Sequence, residues 1–408
     1  MPKKTNLLIV GDYNRRDFVD LFKACRNDFH FYFLEYASLK EVTANHYLAY
    51  GEAIFWKDYS DAYTLLAKVA PQKVVFFFIE TYNHVALNVA CKQKGITSCL
   101  LDHGIRDINL NLAYEATQKV KLQRVKLFNS KVPLLDRIKT RLFFIRSVKK
   151  SSLEHKRFLK DFYNIRSRNT YFKTSQILQH SLRKPDVYLA FSVGVYKAHQ
   201  KLDALAANQK IYYFGIPYFD EFSQIRHIKP KSKHLLFIDQ AFVSQHLLGW
   251  IENNKRDFIK KLLAVCSSHD YKLIVKIHPL ENPSIWREFE GKALEIVVDN
   301  FHAVVSTCEI IIGFYSTLLL GLAALPHTTI LTYEGHPAGN KFFLSRFLVA
   351  EGVGSSFVDM EELGGLLTII KQIQLLQQEK KKEFIKEWLY RFDGRSGERL
   401  RDLLLQEL

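Results

Sequence analysis

Three short stretches carry the side chains best suited to chemistry. Lys276-Ile277-His278-Pro279 places a cation and an imidazole two residues apart, and Pro279 halts the apolar run before it, so that His278 projects from the end of a strand. Ligands of open α/β sheets bind at such carboxyl ends; otherwise the ring simply caps the strand. Ile310-Ile311-Ile312-Gly313-Phe314-Tyr315-Ser316-Thr317 reads as strand, glycine turn, two hydroxyls and the start of a helix. Free N–H groups at a helix start favour a phosphate, although Ser316 or Thr317 also suits a plain N-cap. In Asp102-His103-Gly104, a carboxylate and an imidazole follow an apolar run. Either could take a proton from a hydroxyl, or the pair could be a structural turn.

The elements that must position these groups are short apolar runs, each followed by a helix-compatible stretch. The runs are Asn6 to Val10, Lys73 to Ile79, Thr97 to Leu101, Val187 to Phe191, Ile211 to Phe214, Leu235 to Ile238, Leu273 to Ile277, Ile310 to Ile312 and Thr328 to Leu331. Continuous apolar character suits strands buried on both faces, and strand–helix alternation implies parallel sheets joined by right-handed crossovers. The polar stretch Ser223 to Lys233 predicts a boundary between two Rossmann-like halves. Lys371 to Leu408 reads as helical, with Phe384, Ile385, Trp388, Leu389 and Phe392 on one face.

A chain of 408 residues with 48% hydrophobic and 25% charged residues is globular and long enough for two domains. The longest apolar run, Ile310 to Leu325, is interrupted by Tyr315, Ser316 and Thr317, so no transmembrane helix is expected, and the first residues do not read as a signal peptide. Five scattered cysteines, without a Cys-x-x-Cys pair, suit a reducing cytoplasm. Charge is unevenly spread: seventeen Lys/Arg face three Asp/Glu between Lys119 and Lys173, a net +14 of the chain's +16. Such a segment must face a polyanion or an anionic surface. Gly11-Asp12 is no dinucleotide fingerprint, and no Asp-x-Asp metal motif is present.

Taken together, the Lys-x-His-Pro element and the glycine–hydroxyl–hydroxyl turn resemble the C-terminal half of the GT-B-type bacterial sialyltransferases. Their relatives include polysialyltransferases, Kdo transferases and CDP-glycerol glycerophosphotransferases. The resemblance covers the order of elements from about Val74 to Leu331. It implies that His278, Ser316 and Thr317 hold the phosphate and ribose of a cytidine nucleotide, supported by Lys276, Pro279 and Gly313. Where those relatives carry an acidic-acidic-glycine motif with the general base, this chain has Asp102, His103 and Gly104, which leaves the base open between Asp102 and His103. Gly215-Ile216-Pro217-Tyr218-Phe219-Asp220 resembles the turn closing the first domain, and Leu236 to Gln240 the strand opening the second; Gly215, Asp239 and Gln240 are then expected to line a central cleft with Gly104.

The resulting expectation is a metal-independent, cofactor-free glycosyltransferase of the GT-B fold, α/β, with two Rossmann-like domains whose parallel sheets face a cleft. The domains would be 1–225, with a basic helical and partly mobile insertion at about 119–173, and 226–385, followed by a C-terminal helix, 386–408. The donor would be CMP-linked Kdo or a sialic-acid-like sugar. The acceptor would be an oligosaccharide or lipid-linked glycan of capsule or lipopolysaccharide, met at the anionic inner face of the cytoplasmic membrane. The rivals are a CDP-glycerol glycerophosphotransferase, a nucleotide-sugar epimerase of the same shape and, from another class, a nucleic-acid-binding protein using the basic segment; no nucleic acid is expected.

Overall fold

The computed structural model describes residues 4–104, 132–230, 232–297, 301–339 and 343–407. They form two compact units, Met1–Tyr218 with Arg395–Leu408, and Phe219–Gly394. The division falls slightly before the boundary expected at 225/226.

The first unit is built on seven parallel strands: β1 (Thr5–Val10), β2 (Phe29–Leu34), β3 (Gly51–Ile54), β4 (Lys73–Phe76), β5 (Thr97–Leu101), β6 (Val187–Ala190) and β7 (Lys210–Tyr213). Their order is β3-β2-β1-β4-β5-β6-β7, the doubly wound arrangement whose direction of travel reverses between β1 and β4. Helices cover both faces, so β4 and β6 are buried at every residue. Side chains start the helices: Asp61, Thr81 and Ser192 accept from Thr64, His84 and Val195 N–H, capping Ala62–Val69, Tyr82–Lys94 and Val193–Leu202.

The basic stretch occupies the crossover from β5 to β6. Its residues 119–131 lie outside the described residues; the rest forms the helices Leu134–Lys150 and Leu153–Arg166. The described helices of this stretch pack as part of the unit. Phe143, Phe144, Phe158, Leu159 and Phe162 join the core with Trp56, Leu65 and Val85, and Ser147 Oγ accepts from the Ala62 N–H at 2.9 Å. Each buried Phe is worth about 1.5–3 kcal/mol, enough to pin the helices despite their charge.

The second unit holds β8 (His234–Ile238), β9 (Lys272–Lys276), β10 (Leu294–Ile296), β11 (Cys308–Gly313), β12 (Thr329–Tyr333) and β13 (Ser355–Phe357). All are parallel, in the order β10-β9-β8-β11-β12-β13, with the reversal between β8 and β11. The C-terminal stretch is not one helix. Ile370–Phe384 runs into a π turn, Ile385–Leu389, then Tyr390 and Gly394 take positive φ (62° and 77°), and a new helix, Ser396–Leu405, belongs to the first unit. There Lys73 Nζ donates to the carbonyls of Leu404 and Gln406 (2.7 and 2.6 Å), and Arg399 Nε donates to that of Phe214 (2.9 Å).

Candidate active site

In the second unit, register aligns the chemistry-bearing residues. Lys276 of β9 pairs with Ile238 of β8, Ile238 with Gly313 of β11, and Gly313 with Thr332 of β12. One row across the carboxyl edge thus includes Lys276, two residues before His278, and Gly313, which leads to Ser316 and Thr317. The edge lies at the β8/β11 reversal, where doubly wound sheets hold ligands. Lys276 is partly buried, which lowers its pKa, and its ammonium lies 6.0 Å from the Phe301 ring centre. His278 Nδ1 accepts from the Leu280 N–H at 3.1 Å. That bond leaves the proton of a neutral ring on Nε2, as a donor. Pro279 is exposed, and Ser316 and Thr317 are half-buried. Ser316 Oγ caps the helix Thr317–Ala323 by accepting from the Leu318 N–H at 3.2 Å. Gly313 keeps the turn tight, since a Cβ there would come within 3.0 Å of Leu319.

Asp239, expected to line a cleft, is buried within the second unit. It is 1% exposed, accepts from Trp286 Nε1 at 2.6 Å and pairs with Lys255, itself buried and 5.2 Å from the Trp286 ring centre. A carboxylate carried into an apolar interior must be paired, and this pair anchors the end of β8 under the proposed site. Gln240, next along, is half-buried.

In the first unit the carboxyl edge at the β1/β4 reversal gathers Gly11 and Asp12 after β1, Phe77 and Phe78 after β4, and Asp102, His103 and Gly104 after β5. Asp102 is withdrawn completely: it is 0% exposed, its Oδ2 accepts from the Phe191 N–H at 2.9 Å and its Oδ1 lies 2.8 Å from His199 Nε2. His199 Nδ1 lies 3.8 Å from Asp203 Oδ2, and Asp203 accepts from the hydroxyls of Tyr171 and Tyr188 (2.8 and 2.9 Å). Of the two candidates left open for the base, Asp102 is thus the enclosed one, tied into the packing of the unit. His103 is only partly buried, with edge-on contacts to Phe18, Phe77 and Phe78 (ring centres 4.7, 5.6 and 4.3 Å). Gly11 admits this packing, because a Cβ there would fall 2.4 Å from the Phe77 ring.

Gly104 is half-buried beside His103, whereas Gly215 is architectural: its φ is +88°, and a Cβ would meet Ser396 Oγ at 2.4 Å. Sequence reasoning missed His199, Asp203, Lys255, Trp286 and the phenylalanines around His103. His199 and Asp203 come from the connection between β6 and β7, Lys255 and Trp286 from those after β8 and β9, and Phe18 from the one after β1, so their meeting with Asp102, Asp239 and His103 is not written in any one stretch of sequence. Gly11-Asp12 carried a legible signal, an acidic turn after the first strand.

A family model described as alpha-2,8-polysialyltransferase matches residues 34–334. No curated protein matches the chain in sequence. Among solved structures, the wall teichoic acid polymerase TagF superposes with a TM-score of 0.52 at 12% identity, covering 98% of this chain and 88% of that one. The calicheamicin glycosyltransferase CalG4 gives 0.54 at 10% identity (98% and 97% covered), and the glycotransferase of kitacinnamycin 0.53 at 11% identity (99% of each). At such identities the likeness is one of fold, the GT-B arrangement of two Rossmann-like domains.

Proposed function

The chain belongs to the alpha-2,8-polysialyltransferase family, and from that premise we propose that it moves a CMP-activated acidic sugar, of the sialic-acid or Kdo kind, onto a bacterial surface glycan. The observation that carries the reading is the Lys276–Ile238–Gly313 row, which brings Lys276-x-His278 and the Ser316-Thr317 turn to one sheet edge.

On this reading Lys276, His278 Nε2–H and the hydroxyls of Ser316 and Thr317 bind the nucleotide and stabilise the phosphate as it leaves, without a metal ion. Charge developing on the leaving oxygen would meet donors already fixed by the fold, which is the largest kind of catalytic contribution. His103, the accessible member of the Asp102-His103 pair, would take the acceptor hydroxyl's proton as that oxygen attacks the anomeric carbon. Asp102 would hold the strand from which His103 projects. The basic helices of the first unit support a position beside an anionic membrane surface.

Thermal unfolding with CMP, CDP, UDP and GDP tests the donor. A nucleotide at about 100 times its Kd adds about 2.7 kcal/mol, so CMP or CDP should stabilise the protein and UDP and GDP should not. Stabilisation by UDP alone would remove the acidic-sugar reading. Transfer of glycerol phosphate from CDP-glycerol would replace the glycosyl centre with a phosphoryl one.

A further inference from the structure

The helix Leu134–Lys150 has two apolar faces, and the core uses only one of them. Phe143, Phe144 and Ser147 are buried against the first unit. Leu134, Ile138, Leu142 and Ile145, spaced four, four and three apart, fall on a single stripe on the opposite side. Leu134 is 69%, Ile138 43% and Ile145 48% exposed, and Leu135 beside them is 71% exposed. A solvated helix ordinarily puts polar residues on that side. Lys139, Arg141 and Arg146, all exposed, flank the stripe, Lys149, also exposed, closes its C-terminal end, and Leu153, 75% exposed, opens the next helix. From residue 132 to 173 the chain has twelve Lys/Arg against three Asp/Glu.

We propose that this stripe is a membrane-docking face: Leu134, Leu135, Ile138 and Ile145 enter the boundary between headgroups and acyl chains of an anionic leaflet while the flanking lysines and arginines pair with its phosphates. The inference deepens the proposed membrane position and is independent of the donor's identity. Charge complementarity selects the occupant. A second copy of the chain would bring an equally basic surface and be repelled, and a soluble polyanion gains nothing from four exposed aliphatic side chains. An anionic bilayer satisfies both halves of the pattern, apolar depth and surface charge. The assignment also differs from a reading of the sequence alone, in which Phe143 and Phe144 would have been counted toward the lipid.

The test is co-sedimentation of the full chain with vesicles of phosphatidylcholine containing phosphatidylglycerol, and with phosphatidylcholine alone. The parent should bind the anionic vesicles at low salt, release as salt rises and ignore the neutral ones. The triple variant Leu134→Ser, Leu135→Ser, Ile138→Ser changes only exposed side chains, so it should melt like the parent yet partition roughly 100-fold more weakly, about tenfold or less for each partly inserted side chain. Equal partitioning of parent and triple variant would overturn the docking face while leaving membrane attachment intact. No binding of the parent to anionic vesicles would overturn both, as would salt-sensitive binding to RNA alone. Nucleotide-induced stabilisation, measured on the same samples, separates either failure from a failure of the transferase reading.

Discussion

His199 Nε2 lies 2.8 Å from Asp102 Oδ1 in the first unit, and neither residue is more than 1% exposed. The pair ties the end of β5 to the helix Val193–Leu202, while the other carboxylate oxygen holds the Phe191 N–H beyond β6. Removing one partner of a buried pair strands the other, at about 3–5 kcal/mol. Asp102→Ala should therefore show its main effect in urea or thermal unfolding. Asp102→Asn, which keeps the shape and one acceptor, should lose less stability and retain turnover in proportion to its folded fraction. A fully stable Asp102→Asn with turnover reduced a thousandfold would restore Asp102 as the base.

His103→Gln should behave in the opposite way. The ring is partly accessible and packs edge-on against three phenylalanines, so stability should change by about 1 kcal/mol while turnover falls by roughly 10²–10⁴. Donor binding, followed by nucleotide-induced stabilisation, should persist. Turnover within a few-fold of the parent would clear His103 of the role.

In the second unit, His278→Ala should abolish measurable stabilisation by CMP without unfolding the protein, since the side chain is only partly buried. Ser316→Ala removes a ligand hydroxyl and also the N-cap of Thr317–Ala323, so about 1 kcal/mol of stability should be lost along with nucleotide affinity. Unchanged affinity in both variants would remove the sheet edge from nucleotide binding.

Acid stability tests how the basic helix is fixed. Burial alone would raise the pKa of Asp61, but hydrogen bonds from Lys150, Ser60 and Thr64 outweigh it and hold the carboxylate at about 2, against an ordinary 3.8. Above 3.8 the carboxylate is ionised in both states and its full stabilisation is present. As pH falls from 3.8 toward 2 the unfolded chain takes up its proton first, and the contribution is lost. Lys150→Met deletes the 2.7 Å ion pair, so Asp61 should titrate closer to 3.8 and the variant should lose less stability across that window. Urea unfolding at several pH values between 2 and 5 measures the difference; identical profiles would mean that Lys150 leaves Asp61 unperturbed.

By itself the sequence determined the architecture and named the candidate site residues. Runs such as Val74 to Phe76 and Ile310 to Ile312 are apolar on both faces, which only a covered parallel sheet accommodates, and Lys276-x-His278 and Gly313 to Thr317 announce themselves because strand end, turn and helix start are adjacent in the chain. Strands β2, β3, β10 and β13 were not legible, being alternating, short or at sheet edges, where burial imposes a weaker pattern. Only the tertiary structure shows that Asp102 and His103, neighbours in sequence, differ in burial, the first enclosed and the second partly accessible. Strand geometry turns successive side chains to opposite sides, and which side is filled depends on His199, almost a hundred residues away. It likewise decided which apolar residues of Leu134–Lys150 belong to the core, because a helix with two apolar faces does not encode which one its own domain will cover.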